Sequence, residues 1–173
     1  MIQVAAYCER VYGSQSTKVA YNYNELGKIA QARGRLDEAE ADYRRIVDIY
    51  RTAYHDRHYL IALAMANLAD VYVDRKKYSD AEPLYREAIR RYTETLSSDH
   101  QYTGIARIRL GRALLRDNRY AEAEKETTAG LNILAKQSKP PVTWVNNARS
   151  DLHAIYIAMH EPEKAREYEA STR

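Results

Sequence analysis

The chain has 173 residues, of which 45% are hydrophobic and 29% charged, with six glycines, four prolines and one cysteine. This suits a single folded domain or a run of small repeats, and it excludes collagen, low-complexity disorder and a disulfide-stapled mini-protein. A net charge of +3 is too mild to indicate nucleic acid by itself, and no stretch of about 20 apolar residues is free of charge, so no membrane span is expected.

In chain order, residues 1–16 read as the end of a helix and a turn, with Tyr12 matching Tyr54 and Leu96 at a 42-residue step. The same step then runs through the chain. Tyr23-Asn24-Glu25-Leu26-Gly27-Lys28 aligns with Met65-Ala66-Asn67-Leu68-Ala69-Asp70, Arg107-Ile108-Arg109-Leu110-Gly111-Arg112 and Arg149-Ser150-Asp151-Leu152-His153-Ala154. Ala39, Ala81, Ala123 and Ala165 share it, as do Tyr43, Tyr85 and Thr127. Turn marks share it too, at Gly34-Arg35-Leu36, Lys76-Lys77-Tyr78, Asn118-Arg119-Tyr120 and His160-Glu161-Pro162.

Between the turn marks the pattern is helical. Ile61, Met65, Leu68 and Tyr72 form one apolar stripe, and Ala81, Leu84, Tyr85, Ala88, Ile89 and Tyr92 form another. Each unit is therefore a hairpin of a helix A and a helix B, of roughly 17 residues each. Asp37 and Asp80 suit helix starts, and Pro83 is expected in a first helical turn. Gly27, Ala69 and Gly111 fall in mid-helix. A close crossing of helix B over them, at Ala39, Ala81 and Ala123, explains the small side chains, with Tyr43 and Tyr85 filling the space beside them.

Tyr23-x2-Leu26-Gly27 followed by Ala39-x3-Tyr43 resembles the tetratricopeptide signature, although 42 residues exceeds the usual period of about 34. Ala66 to Tyr72, Tyr78 to Tyr85 and Ser98-Asp99-His100 resemble the long repeats of the kinesin light chain class. The resemblance implies an all-α fold, a right-handed α-solenoid of antiparallel helix hairpins. Its expected divisions are 1–16 (end of a partial repeat), 17–57, 58–99, 100–141 and a truncated 142–173. Met65, Arg107 and Arg149 depart from the first aromatic of the signature, Thr127 departs from the second, and Pro140-Pro141 breaks the third connection.

The same resemblance implies that the A helices line a concave binding face. The candidates there are Asn24, Lys28, Leu63, Asn67, Asp70, Ile105, Arg109, Arg112 and Arg116. Lys28, Asn67 and Arg109 resemble part of a carboxylate clamp, with Asn24 and Lys28 interchanged and Ile105 where a basic residue belongs. Asn67 is placed to meet the backbone of an extended peptide or to bond a neighbouring helix. Leu63 and Ile105 are placed for apolar contact or for the core. The register predicts that Asp70 lies beside Lys28 and Arg112, Asp74 beside Arg116 and Arg109 beside Asp151, giving a face of mixed sign. Tyr21, Tyr59, Tyr102 and Trp144, near A-helix starts, are anchors or packing residues.

No phosphate loop, nucleophile elbow or zinc-protease motif is present. His55 and His58 are two ligands where zinc needs four, and His100 matches His58 at the repeat step. No catalytic residue, metal or cofactor is expected. The leading expectation is a non-catalytic module that binds a protein or peptide ligand. The alternative is self-assembly through apolar ends at Val4, Tyr7, Val11 and Tyr12, the chain then being a piece of a longer array or pairing with another copy. Nucleic-acid binding through Arg90, Arg91, Arg107, Arg109, Arg112, Arg116 and Arg119 comes third. Met1 to Arg10 lack the layout of a secretory leader, and a lone Cys8 fits a reducing compartment, so a cytoplasmic location is expected.

Overall fold

The computed structural model describes residues 2–169, and the side chains of residues 7–169. The side chain of Val4 and residues 170–173 lie outside the described residues. The helices are α1 (Ile2–Tyr12), α2 (Thr17–Ala32), α3 (Leu36–Ala53), α4 (Tyr59–Asp74), α5 (Tyr78–Thr95), α6 (Gln101–Arg116), α7 (Tyr120–Ala135), α8 (Val142–Ala158) and α9 (Pro162–Arg166). They form two compact units, Met1–Arg91 and Tyr92–Arg173, each built from helix hairpins.

The hairpin turns follow from local chemistry. Gly34, Lys76, Asn118 and His160, each 42 residues from the next, all take the left-handed conformation, with φ of 71°, 59°, 62° and 60°. The following N–H then reaches back to the first unpaired carbonyl of the preceding helix. Arg35 donates to Ala30 at 2.8 Å, Lys77 to Tyr72 at 2.8 Å, Arg119 to Leu114 at 2.9 Å and Glu161 to Tyr156 at 2.9 Å. This is a Schellman closure, which satisfies orphan carbonyls and ends the helix. The helices that follow carry acids in their first turns, among them Asp37, Asp80 and Glu122, where the helix dipole favours negative charge. Pro83 lies in the second turn of α5 rather than the first. It leaves the Ser79 carbonyl without a helical donor, and Ser79 is exposed, so water can take that role.

Close helix crossing accounts for the small residues. A Cβ on Gly27 would come within 3.0 Å of the Tyr43 ring, and one on Gly111 would meet the Thr127 hydroxyl and, at 3.0 Å, its backbone nitrogen. Ala39, Ala81 and Ala123 are fully buried. Leu68, Leu110 and Leu152 are buried, whereas Leu26 is only half-buried. A second close approach, between α6 and α7, places a Cβ on Gly130 within 2.6 Å of the Gly104 carbonyl.

Several tyrosines, buried or half-buried, bind carboxylates through their hydroxyls. Tyr72 donates to Glu40 at 2.9 Å and, two repeats on, Tyr156 donates to Glu124 at 2.7 Å. Tyr23 donates to Glu9, and Tyr85 to Asp70. Phenylalanine cannot hold a carboxylate in this way, which gives a use for 16 tyrosines beside no phenylalanine.

Candidate peptide-binding face

In the first unit the A-type helices α2 and α4 present a connected polar strip. Asn67 donates to the Asn24 amide oxygen at 3.2 Å, and Asn24 donates to Glu25 at 3.0 Å. Lys28 binds the same Glu25 oxygen at 2.8 Å. One turn further along, Gln31 donates to Asp74 at 2.7 Å. Lys28 and its ion pair hold the Glu25 carboxyl below the usual carboxylate range. Asn67 is 8% exposed, so its amide bonds a neighbouring helix. Leu63 is half-buried at the start of the strip.

The predicted pairing of Lys28 with Asp70 is corrected here. Lys28 pairs with Glu25, three residues away on its own helix, where no helix-to-helix gap must be spanned. Asp70 accepts from the Tyr85 hydroxyl.

In the second unit α6 carries the basic candidates Arg109, Arg112 and Arg116, and it packs against α8. Arg112 holds Asp151 at 2.9 Å, with Asp151 largely buried. Burial pushes the Asp151 carboxyl up, and Arg112 and Arg116 offset only part of that effect. Arg109 was predicted beside Asp151. It instead lays its guanidinium over the Trp144 ring, 5.2 Å from the centroid. The exchange has a simple geometric cause. Residues 42 apart are level with each other, but Arg112 lies one helical turn from Arg109 on α6, and an arginine side chain is long enough to take the Asp151 carboxylate on the diagonal. Ile105 and Trp144 pack against the Ile108, Leu134 and Ala148 cluster, so both belong partly to the core. Arg116 is exposed at the end of α6.

The remaining arginines proposed for nucleic acid are engaged with acids. Arg107 pairs with Glu126 at 2.6 Å, Arg90 with Glu87 at 2.6 Å, Arg119 with Glu122 at 2.7 Å and Arg91 with Asp56 at 3.0 Å. His58 caps α4 and His100 caps α6, which gives both a structural role. Among the described residues no group of three or more His, Cys, Asp or Glu side chains could hold a metal, and no helix is long and apolar enough to cross a membrane.

Sequence reasoning missed two features of these faces. The Gln31–Asp74 bond joins residues 43 apart, the same separation as Asn24 and Asn67, so a search one residue beyond the period would have found it. The Arg109–Trp144 stack has no comparable signal, because it depends on rotamers.

The tetratricopeptide repeat family profile matches residues 18–94 and again 60–135. The second match starts one 42-residue step after the first. Nephrocystin-3 of Xenopus tropicalis is 36% identical over 72 residues, covering 42% of this chain and 6% of that protein. Mitochondrial tetratricopeptide repeat protein 19 of Mus musculus is 25% identical over 84 residues, covering 49% of this chain and 22% of that protein. The chain thus spans less than a quarter of these curated relatives. Among solved structures, the kinesin light chain TPR-like repeats of Podosopora anserina superpose with a TM-score of 0.75 at 22% identity, covering 96% of this chain and 79% of theirs. BtubC (BKLC) of P. vanneervenii gives 0.77 at 20% identity, over 87% of this chain and 60% of that one. These likenesses establish the α-solenoid fold class of antiparallel helix hairpins.

Proposed function

The chain belongs to the tetratricopeptide repeat family, with the long-repeat fold of the kinesin light chain-like class, and from that premise we propose that it is a non-catalytic module whose A-helix faces bind an extended peptide or a partner helix. The Asn24–Asn67 amide pair carries the reading. At this level of α2 and α4 two amides meet a glutamate and a lysine. Such a strip offers donors and acceptors to a peptide backbone. Within the first unit Leu63 and Asp70 flank the strip as side-chain contacts; on the A-helix face of the second unit, taken by itself, Ile105 offers apolar contact and Arg109, Arg112 and Arg116 favour acidic ligand groups. The module works without a cofactor, in the cytoplasm, and neither nucleic acid nor membrane is its partner.

The test is a selection of random peptides, with free and blocked C-termini, against wild type, Asn67→Ala and Arg109→Ala, with circular dichroism to confirm that each variant folds. Enriched peptides that lose at least tenfold in affinity for folded Asn67→Ala and Arg109→Ala support the site. Unchanged affinity for both removes it.

A second reading, self-association, is favoured by one observation. Tyr7 is 58% exposed, whereas Ile49, Arg91 and Ile133, which follow it at the 42-residue step, are all buried. Val11 and Tyr12 continue that open edge of α1. Light scattering over a concentration series, with Val11→Glu as the disrupting variant, separates this reading from the first. A constant monomer mass ends it.

A further inference from the structure

α8 carries a polar face where the preceding A-type helices are small or apolar. Asn146, Arg149, Ser150 and His153 are spaced three and four apart and share that face. Together with Tyr168 and Glu169 they line a cleft of about 670 Å³ within the second unit, a size typical of ligand pockets. One 42-residue step earlier, the positions of Asn146, Ser150 and His153 hold Gly104, Ile108 and Gly111, all buried in α6. Two steps earlier they hold Ala62, Ala66 and Ala69, all buried in α4. In α8, by contrast, Asn146 and Ser150 are exposed and His153 is half-buried.

The cleft has a local cause. A Cβ on Gly111 would collide with the Thr127 hydroxyl and lie 3.0 Å from its backbone nitrogen. His153 puts an imidazole at the equivalent position, so no helix can cross α8 there at the same distance. α9 ends at Arg166, and the chain turns through Tyr168 and Glu169, whose N–H groups donate to Ala165 at 3.0 Å and Arg166 at 3.2 Å. His153 Nδ1 lies 3.0 Å from the Ala165 carbonyl. A carbonyl only accepts, so Nδ1 carries the proton and Nε2 of the neutral ring is an acceptor.

Arg149 decides the ligand. Its repeat counterpart Arg107 pairs with Glu126 at 2.6 Å. One step after Glu126 stands Tyr168, so a ring replaces that acid. The Arg149 guanidinium lies 5.7 Å from the Tyr168 centroid and donates to the Glu167 carbonyl at 3.0 Å. Tyr168 is stacked in turn on Tyr156 at 5.7 Å. Neither partner of Arg149 is ionised, and it makes no ion pair among the described residues. Glu169 in the same cleft is exposed and hydrated, whereas Arg149 is half-buried. The cation withdrawn from water is the group that gains from a counter-charge.

We propose that this cleft is a peptide site of its own, which takes a short acidic segment with an Asp or Glu carboxylate on Arg149. The Asn146 and Asn147 amides and the Ser150 hydroxyl, each donor and acceptor, meet the backbone beside that carboxylate, and His153 Nε2 accepts a peptide N–H. None of these residues belongs to the strip on α2 and α4 or to the arginine row of α6, so the proposal does not rest on the reading given above.

The test is a selection of random peptides against the full chain, from which peptides that also bind Arg149→Gln are removed, with circular dichroism to confirm that the variant folds. Ser150→Glu, at an exposed position, supplies a competing carboxylate and takes the place of Arg149→Gln if the latter does not fold. The surviving peptides are expected to carry Asp or Glu, to lose at least tenfold in affinity for Ser150→Glu, to keep their affinity for Asn67→Ala in the other unit, and to bind Glu169→Gln about two- to fivefold more tightly. An empty selection, survivors without an acidic residue, affinity unchanged by Ser150→Glu, or affinity lost with Asn67→Ala would overturn the proposal.

Discussion

Asp42 offers a direct check on the electrostatics of the first hairpin. It sits on α3 with Glu38 one turn before it and Arg45 almost one turn after. Burial, followed by repulsion from Glu38, pushes its carboxyl up to about 6, and Arg45 pulls it back only in part. Arg45 is drawn away because it also binds Glu9. The folded state therefore holds the Asp42 proton more tightly than the unfolded chain does. Its contribution to stability is complete below the ordinary aspartate value of 3.8 and is lost as pH rises through about 6. The gap between those values corresponds to about 3 kcal/mol. Partial solvent screening, and the cost of burying an amide in its place, reduce the net effect of Asp42→Asn to about 1–2 kcal/mol of stabilisation at pH 7.5. Urea denaturation followed by circular dichroism, at pH 7.5 and again at pH 4.5, measures it. The gain should shrink by at least half at the lower pH, where wild-type Asp42 is protonated in the fold. A variant that is no more stable than wild type at pH 7.5, or one whose gain is the same at both values, refutes the reasoning.

Two packing substitutions extend the test to the second unit. Gly130→Ala places a methyl within 2.6 Å of the Gly104 carbonyl and 2.7 Å of an Ile108 carbon. Overpacking against backbone should exceed the gain in helix propensity and cost about 1–3 kcal/mol in urea denaturation, whereas a more stable variant would contradict the close crossing. Thr127→Val exchanges a fully buried hydroxyl that has no hydrogen-bond partner for a methyl of similar shape. It should stabilise the third hairpin by about 1 kcal/mol, and a loss of that size would mean that the hydroxyl is satisfied in solution.

Much of the binding face could be read before folding, but not its internal wiring. The 42-residue step identifies which side chains share a level on adjacent A helices, and it sets Asn67 level with Glu25, whereas the bond that Asn67 makes is to Asn24, one residue away. It also proposed Lys28 with Asp70 and Arg109 with Asp151, and both partners changed. Lysine and arginine side chains span more than one turn of helix, so a carboxylate within reach on the same helix or on the diagonal competes with the level one. Coulomb attraction varies too gently with distance to choose between them. Helix slide and rotamer packing make the choice, as Trp144 does by receiving Arg109 on its face.

Helix length, hairpin turns and the small residues at crossings were determined by the sequence itself, because each is set by chemistry within about one turn of helix. An apolar stripe specifies a face, a left-handed residue closes a Schellman turn, and a missing side chain admits a neighbouring backbone. Tertiary structure alone decided which carboxylate each tyrosine and arginine holds, the Gly104–Gly130 approach, and the burial that lifts Asp42 and Asp151. Those depend on distances between helices, and side chains on separate helices acquire a distance only when the chain has packed.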